Sequence, residues 1–524
     1  MQRTSRRLRQ VFPLAAVVAL FAVGSAVATV GPTVPVSPTT SPFAGTPNGA
    51  TCQGQAQTGT NNPGAEVEPF VDVNPTSANP NNLVGAWQQD RWSNGGSTGQ
   101  MSAYSNDGGE SWTIPPISPG PNSGQAKFSR CTGGNAQNGG DYERATDPWV
   151  SFSPNGVVHQ ISLGINDSNV DNAVIASRST DGGANWRAPV VIKRDTQANF
   201  FNDKETLTAN PHDSDFVYAT WQRIVAPSLN ASARAGERTS AFRSFAWFAR
   251  SDDNGVSYDT VKPILDPGNK NQTIGNQIVV LPNGELVMVF NLIRNTSDVK
   301  NRGFTAEVMR STDNGDTWSN PIVVDRMFPA GVTDPEDGHG VRTGDLIPEI
   351  AVDNNTGSLY VVWQDSRFTG REQVAMSKSE DGGRTWGPTK QVSTVGGTNQ
   401  AFTPMVRVAD NGDADTDGTV AVQYYDFRND SAATPGLTTN TWIIRSTDGG
   451  DTFPATTTNE EAVGAAYDMR QAPDALGYFV GDYEGLDWAG GGLRHGFKPF
   501  FVRSNDGMPA NRTDVFATTA STSP

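Results

Sequence analysis

The chain has 524 residues, with 55 glycines, 34 prolines, only 18% charged residues and a formal net charge of -16. Many turn formers and few charges exclude a helical bundle. The negative surface repels phosphate backbones, so nucleic acid is excluded as a partner.

Basic residues open the chain, an apolar run follows from Val11, and the run ends at Ala26-Val27-Ala28. This pattern predicts a secretory signal over residues 1–28, cut after Ala28, and therefore a secreted protein. A membrane anchor is the competing reading, for which the run is short. No later stretch is apolar enough to span a bilayer, so no transmembrane segment is expected after cleavage. Residues 29–64, rich in Pro, Thr, Gly and Asn, read as an extended linker with a short closing strand. Cys52 and Cys131 are the two cysteines. In an exported protein they read as one disulfide, with two free thiols as the alternative.

From residue 65 to about 520 the chain repeats itself. SNDGGESW begins at Ser105, STDGGANW at Ser179, SDDNGVSY at Ser251, STDNGDTW at Ser311, SEDGGRTW at Ser379 and STDGGDTF at Ser446. The shared pattern is S-x-D-x-G-x-x-aromatic. Each copy follows a strand-like run, such as NAVIASRS or FTAEVMRS. Aspartate can accept the turn's own amides and glycine supplies positive φ, so each box predicts a hairpin turn whose aromatic packs back into the core. First strands recur as EPFVDVNP, DPWVSFSP, DKETLTANP, GNQIVVLPNG, IPEIAVDNN and FTPMVRVADNG, and a seventh, GDYEGLDWAGG, follows the last box. Repeated antiparallel units of four strands predict an all-β propeller of six or seven blades, with seven favoured.

The boxes resemble the Asp-box, or BNR, repeats of the sialidase superfamily, over six hairpins from Ser105 to Phe453. The motif bears on fold far more than on activity, and its residues are structural. What the resemblance implies is a secreted, sialidase-like glycoside hydrolase that cleaves terminal acidic sugars from glycans. The alternative is a non-catalytic propeller that binds glycan or protein. Either form is expected to be a monomer.

In a four-stranded meander the box turns lie on one face. A site on the other face draws on the starts of first strands and the ends of second strands. The starts carry Glu68, Asp147, Asp203, Glu205, Glu349, Asp482, Tyr483 and Glu484; the second-strand ends carry Asp90, Arg91, Arg223, Arg294, Asp365, Arg367, Asp426 and Arg428. Such charges are either salt bridges inherited with the repeat or a set that converges on a substrate carboxylate. Arginine suits the second role because its planar fork binds carboxylates bidentately. The resemblance casts Tyr483 as nucleophile, Glu349 or Glu205 as its base and Asp90 or Asp147 as the acid. It casts Arg91, Arg223, Arg367 and Arg428 as a carboxylate clamp. Two features depart from the family pattern. VEPFVDVNP stands where an arginine-bearing F/Y-R-I-P segment is expected, and Glu484 follows Tyr483 where a small residue is expected.

No cofactor is required by this chemistry. DADTDG, with Asp413, Asp415 and Asp417, resembles the opening of a calcium loop, although Tyr424 replaces the glutamate at its twelfth position. It reads as a structural calcium site or as a solvated acidic turn. The four histidines lack metal spacing and read as surface or loop residues. Trp87, Trp221 and Trp363 share one repeat position with Tyr424 and read as packing residues, with stacking platforms for sugars as the alternative.

Overall fold

The computed structural model describes residues 30–522 except 44–51, 53, 55, 119, 229–230, 234–241, 397–398, 410–417, 455–458 and 492–494. The signal segment and Asp413, Asp415 and Asp417 lie outside the described residues. Among the described residues no helix is long and apolar enough to cross a membrane.

The chain is all-β. Among the described residues its strands pair into six sheets of four, eight, three, four, seven and five strands. This corrects the expectation of equal four-stranded blades closed into a propeller. The sheets are open and unequal, and the blade architecture implied by the Asp-box, BNR-repeat and sialidase resemblance falls with it. The repeat dictates each hairpin but does not dictate how neighbouring units pair. The seven-stranded sheet runs from Glu66–Val73 to Val190–Asp195 because the pair Ser97↔Ala145 joins two units. In the eight-stranded sheet the parallel pair Ser244↔Gln272 does the same.

The six box turns share one hydrogen-bond pattern. The serine hydroxyl donates to the aspartate at 2.6–2.9 Å. It also accepts the N–H of the glycine four residues on. The aspartate accepts the backbone N–H four residues after it, at Ser111, Asn185, Ser257, Thr317, Thr385 and Thr452. Gly315, at φ 88°, sits in the left-handed region that this turn requires. The box aromatics then pack against the core, Trp186 completely and the others in part.

Trp87, Trp221, Trp363 and Tyr424 are fully buried, which removes them as sugar platforms. The indoles of Trp87, Trp221 and Trp363 donate to Gln89, Asn202 and Asp365. His159 is also buried rather than at the surface, and burial pushes its imidazole down to about 3. Cys52 and Cys131 form a disulfide across 79 residues. Near the start of the described chain, Val34–Pro35 pairs with Thr513–Ala517.

Candidate functional site

The first strands of neighbouring units share a local irregularity. Register shifts interrupt the pairing of Glu66–Val73, Arg144–Phe152, Phe200–Ala209, Gln272–Val280 and Ala401–Val408. At each shift one residue takes a left-handed backbone: Glu68 at φ 51°, Asp147 at 53°, Lys204 at 51°, Gly275 at 68° and Thr403 at 50°. For a residue with a side chain this costs about 1–2 kcal/mol, and such strain concentrates where a bulge re-aims a side chain.

Three of these residues meet. Lys204 Nζ donates to Glu68 Oε1 at 2.9 Å, Asp147 Oδ1 at 2.9 Å and Asp482 Oδ2 at 2.8 Å. Arg342 grips the other side of Asp482, with Nη2 at 2.6 Å from Oδ2 and Nε at 3.1 Å from Oδ1. Burial would lower the Lys204 ammonium, but Asp147, Asp482 and Glu68 hold it well above its ordinary value. Burial raises Glu68 to about 7 in spite of Lys204. Asp482 goes the opposite way: against burial, Arg342 and Lys204 hold it far below the usual carboxylate range.

This cluster lines a cavity of about 360 Å³. Its wall includes Arg91, Arg342 and Asp345. The guanidinium carbons of Arg91 and Arg342 lie 4.9 and 4.5 Å from the centroid of the same Phe479 ring. Arg91 is 3% exposed and its Nη1 donates to Gln88 Oε1 at 2.7 Å, yet its Nε has no hydrogen-bond partner and no carboxylate forms an ion pair with it among the described residues. Burial, and then Arg342, lowers its pKa. Asp345 is pushed up to about 6 by burial and by Asp482. The wall therefore offers Arg91, which has no ion-paired carboxylate among the described residues, and Arg342, paired with Asp482, beside a carboxyl group that can hold a proton near neutral pH.

Of the residues singled out in the sequence, Glu68, Arg91, Asp147, Asp203 and Asp482 line this cavity. Arg223 is bound to Asp195, with Nε at 2.8 Å and Nη2 at 2.6 Å. Arg367 is held by Asp365 and Asp325, Arg428 by Asp426 and Glu460, and Arg294 by Glu307. These four arginines are neutralised close to their own strands and do not gather around one ligand. Tyr483 is buried and donates to the Pro148 carbonyl at 3.1 Å. Burial, then Glu68, Asp147 and Glu205, raise its pKa, which opposes its activation as a nucleophile. Asp90 accepts from Ser41, Gly64 and Gln89, and burial raises it. Glu205 and Glu349 are buried, and Glu205 has no hydrogen-bond partner among the described residues. Burial raises Glu205 strongly and takes Glu349 to about 8.

Sequence reasoning passed over Lys204, Arg342 and Asp345. Lys204 was legible: it stands three residues before Leu207, as Glu68 and Asp147 stand three before Val71 and Val150. Arg342 and Asp345 lie in GVRTGD, outside the repeated strand pattern, and had no such signal. Among the described residues no group of three or more His, Cys, Asp or Glu is placed to hold a metal ion.

No family model matches the chain, and no curated protein matches it. Among solved structures, a protein of unknown function from Dyadobacter fermentans is 15% identical, with 71% of this chain and 93% of that one covered and a TM-score of 0.42. An alpha-L-arabinanase from Penicillium chrysogenum is 15% identical, with coverages of 72% and 93% and a TM-score of 0.42. A Hadza microbial sialidase is 14% identical, with coverages of 84% and 76% and a TM-score of 0.45. The all-β class of the chain rests on its own strand pairing.

Proposed function

We propose that the 360 Å³ cavity takes an acidic sugar of a glycan and that the protein cleaves the adjoining glycosidic bond. The observation that carries this reading is Arg91, a buried guanidinium at a cavity wall beside Arg342, with Glu68, Asp482 and Asp147 acting on it but no carboxylate ion-paired with it among the described residues. A substrate carboxylate supplies a direct partner, and a guanidinium favours it through charge-assisted hydrogen bonds. Asp345, pushed up to about 6, is the proton donor to the leaving oxygen. Asp482, held ionised by Arg342 and Lys204, stabilises positive charge at the anomeric carbon; a water adds there as the bond to the protonated leaving oxygen breaks, and the water's proton returns to Asp345. A secreted protein acting on extracellular glycans is consistent with the signal-like N-terminus.

One observation favours a second reading, glycan binding without cleavage. Glu68, Asp147 and Asp482 are all engaged by Lys204, so none of the three is free to act as a base.

Fluorogenic glycosides of glucuronic and sialic acid separate the readings. Cleavage by the wild type should fall as pH rises through about 6, where Asp345 loses its proton. Asp345→Asn should abolish release while retaining binding of the free acidic sugar. Arg91→Gln should weaken that binding about tenfold or more, the loss of a charge-assisted contact. Binding without release by the wild type selects the second reading. Neither binding nor release overturns both.

A further inference from the structure

The strands that build the charged cavity continue into a second one. Glu66–Val73 lends Glu68 to the first cavity and Phe70 to the second; Arg144–Phe152 lends Asp147 and then Trp149. The second cavity, of about 560 Å³, differs in chemistry. Its charged groups are Asp72, Asp487 and Arg407. Asp72 is occupied: its oxygens accept the N–H groups of Val73 at 3.0 Å and Phe152 at 2.6 Å. Burial, and then Asp487, raise Asp72 well above its ordinary value. Asp487 accepts the Val73 N–H at 2.7 Å and pairs with Arg407, whose Nε lies 3.4 Å from Oδ1, with side chains 15% and 22% exposed.

Around this pair the wall is aromatic. Phe70 and Trp149 stack at 3.6 Å, and Trp488 stands next to Asp487 in the strand Gly485–Ala489. The Trp488 indole N–H is buried and has no hydrogen-bond partner among the described residues. Glu349, 2% exposed, lies behind this wall, where burial raises it while the Gln277 hydrogen bond and the Arg407 charge, both from residues that line the cavity, lower it.

We propose that this second cavity is a binding site for a neutral saccharide, separate from the acidic-sugar cavity. A hydroxyl both donates and accepts, so neighbouring hydroxyls of one sugar ring match an Asp487 acceptor beside an Arg407 donor. The Trp488 N–H supplies a further donor, and the apolar face of the ring packs on the aromatic wall. Asp72 is satisfied by two backbone N–H groups and Asp487 is paired with Arg407, so neither an organic cation nor a uronic acid meets an unpaired counter-charge here, which favours a neutral ligand. This site does not depend on cleavage in the first cavity.

The test uses full-length protein carrying nitrogen-labelled tryptophan, with the Trp488 indole signal identified by its loss in Trp488→Phe. Maltose, cellobiose and lactose are the neutral probes, and putrescine and glucuronic acid are the charged ones. At least one disaccharide should move the Trp488 signal saturably. Asp487→Asn and Arg407→Gln should each weaken that binding about tenfold or more, as loss of a charge-assisted hydrogen bond predicts. Arg91→Gln should leave it unchanged. The proposal is overturned if no disaccharide moves the signal, if only a charged probe does, or if Asp487→Asn binds as tightly as the wild type. Should Asp487→Asn fail to fold, calorimetry on Trp488→Phe decides: unaltered disaccharide affinity also overturns it.

Discussion

The box turns and the Lys204 cluster are both built from acidic residues, yet they use them in opposite ways. Asp313 lies in an exposed turn and accepts from the Thr317 hydroxyl and backbone N–H, which hold it down at about 2. Glu68 lies in a buried strand and is raised to about 7. All of Asp313's partners lie within four residues of it. Glu68 and Asp482 reach Lys204 across 136 and 278 residues. Local turns can hold a charge in water at little cost, whereas buried charges rely on distant partners arriving together.

The largest expected effect comes from breaking the distant set. Lys204→Met leaves Glu68, Asp147 and Asp482 without their shared ammonium, and urea unfolding should show a loss of about 3–5 kcal/mol. A loss no greater than that of a single turn variant would erase the contrast between the two regions. Removing the Cys52–Cys131 bond with serines at both positions should cost about 2–4 kcal/mol, since it too joins distant segments.

Next comes pH. Glu349 is raised from its ordinary value of 4.5 to about 8 by burial. The folded state therefore holds a proton that the unfolded chain has lost, and stability falls as pH rises from 4.5 through about 8. Glu349→Gln should flatten that alkaline decline in thermal melts; an unchanged slope would show that Glu349 is not its source.

A single turn should matter less. Asp313→Ala removes the acceptor for Thr317 and should cost about 1 kcal/mol. The acid limb is the smallest effect. Asp313 is depressed, so its contribution is present above the unfolded carboxylate range and is lost as pH falls through about 2. Melts of Asp313→Ala and wild type should converge at that end of the scale.

How much was legible follows the same division. The Ser311, Asp313 and Gly315 turn could be read from eight letters because every hydrogen bond in it is local. The strands before and after it could be read from their alternation. Sheet membership could not, because single pairs such as Ser97↔Ala145 decide whether two units share a sheet. For the candidate site, the acidic starts of the first strands were visible, including Glu68 and Asp147. The cation that gathers them shared their register, three residues before Leu207, but its pairing with them was not visible. Arg223, Arg367 and Arg428 looked like a clamp because they recur, yet each is satisfied by carboxylates near its own strand.

By itself, the sequence determined the all-β class, the six hairpin turns and the positions from which charge could enter a site, since these depend on contacts a few residues apart. Only the tertiary structure decided that the sheets are unequal, that Lys204 binds three carboxylates and that Arg91 lines a cavity beside Arg342 with no carboxylate ion-paired to it among the described residues. Those outcomes depend on long-range packing and desolvation, which set a side chain's partners and charge only once distant strands have met.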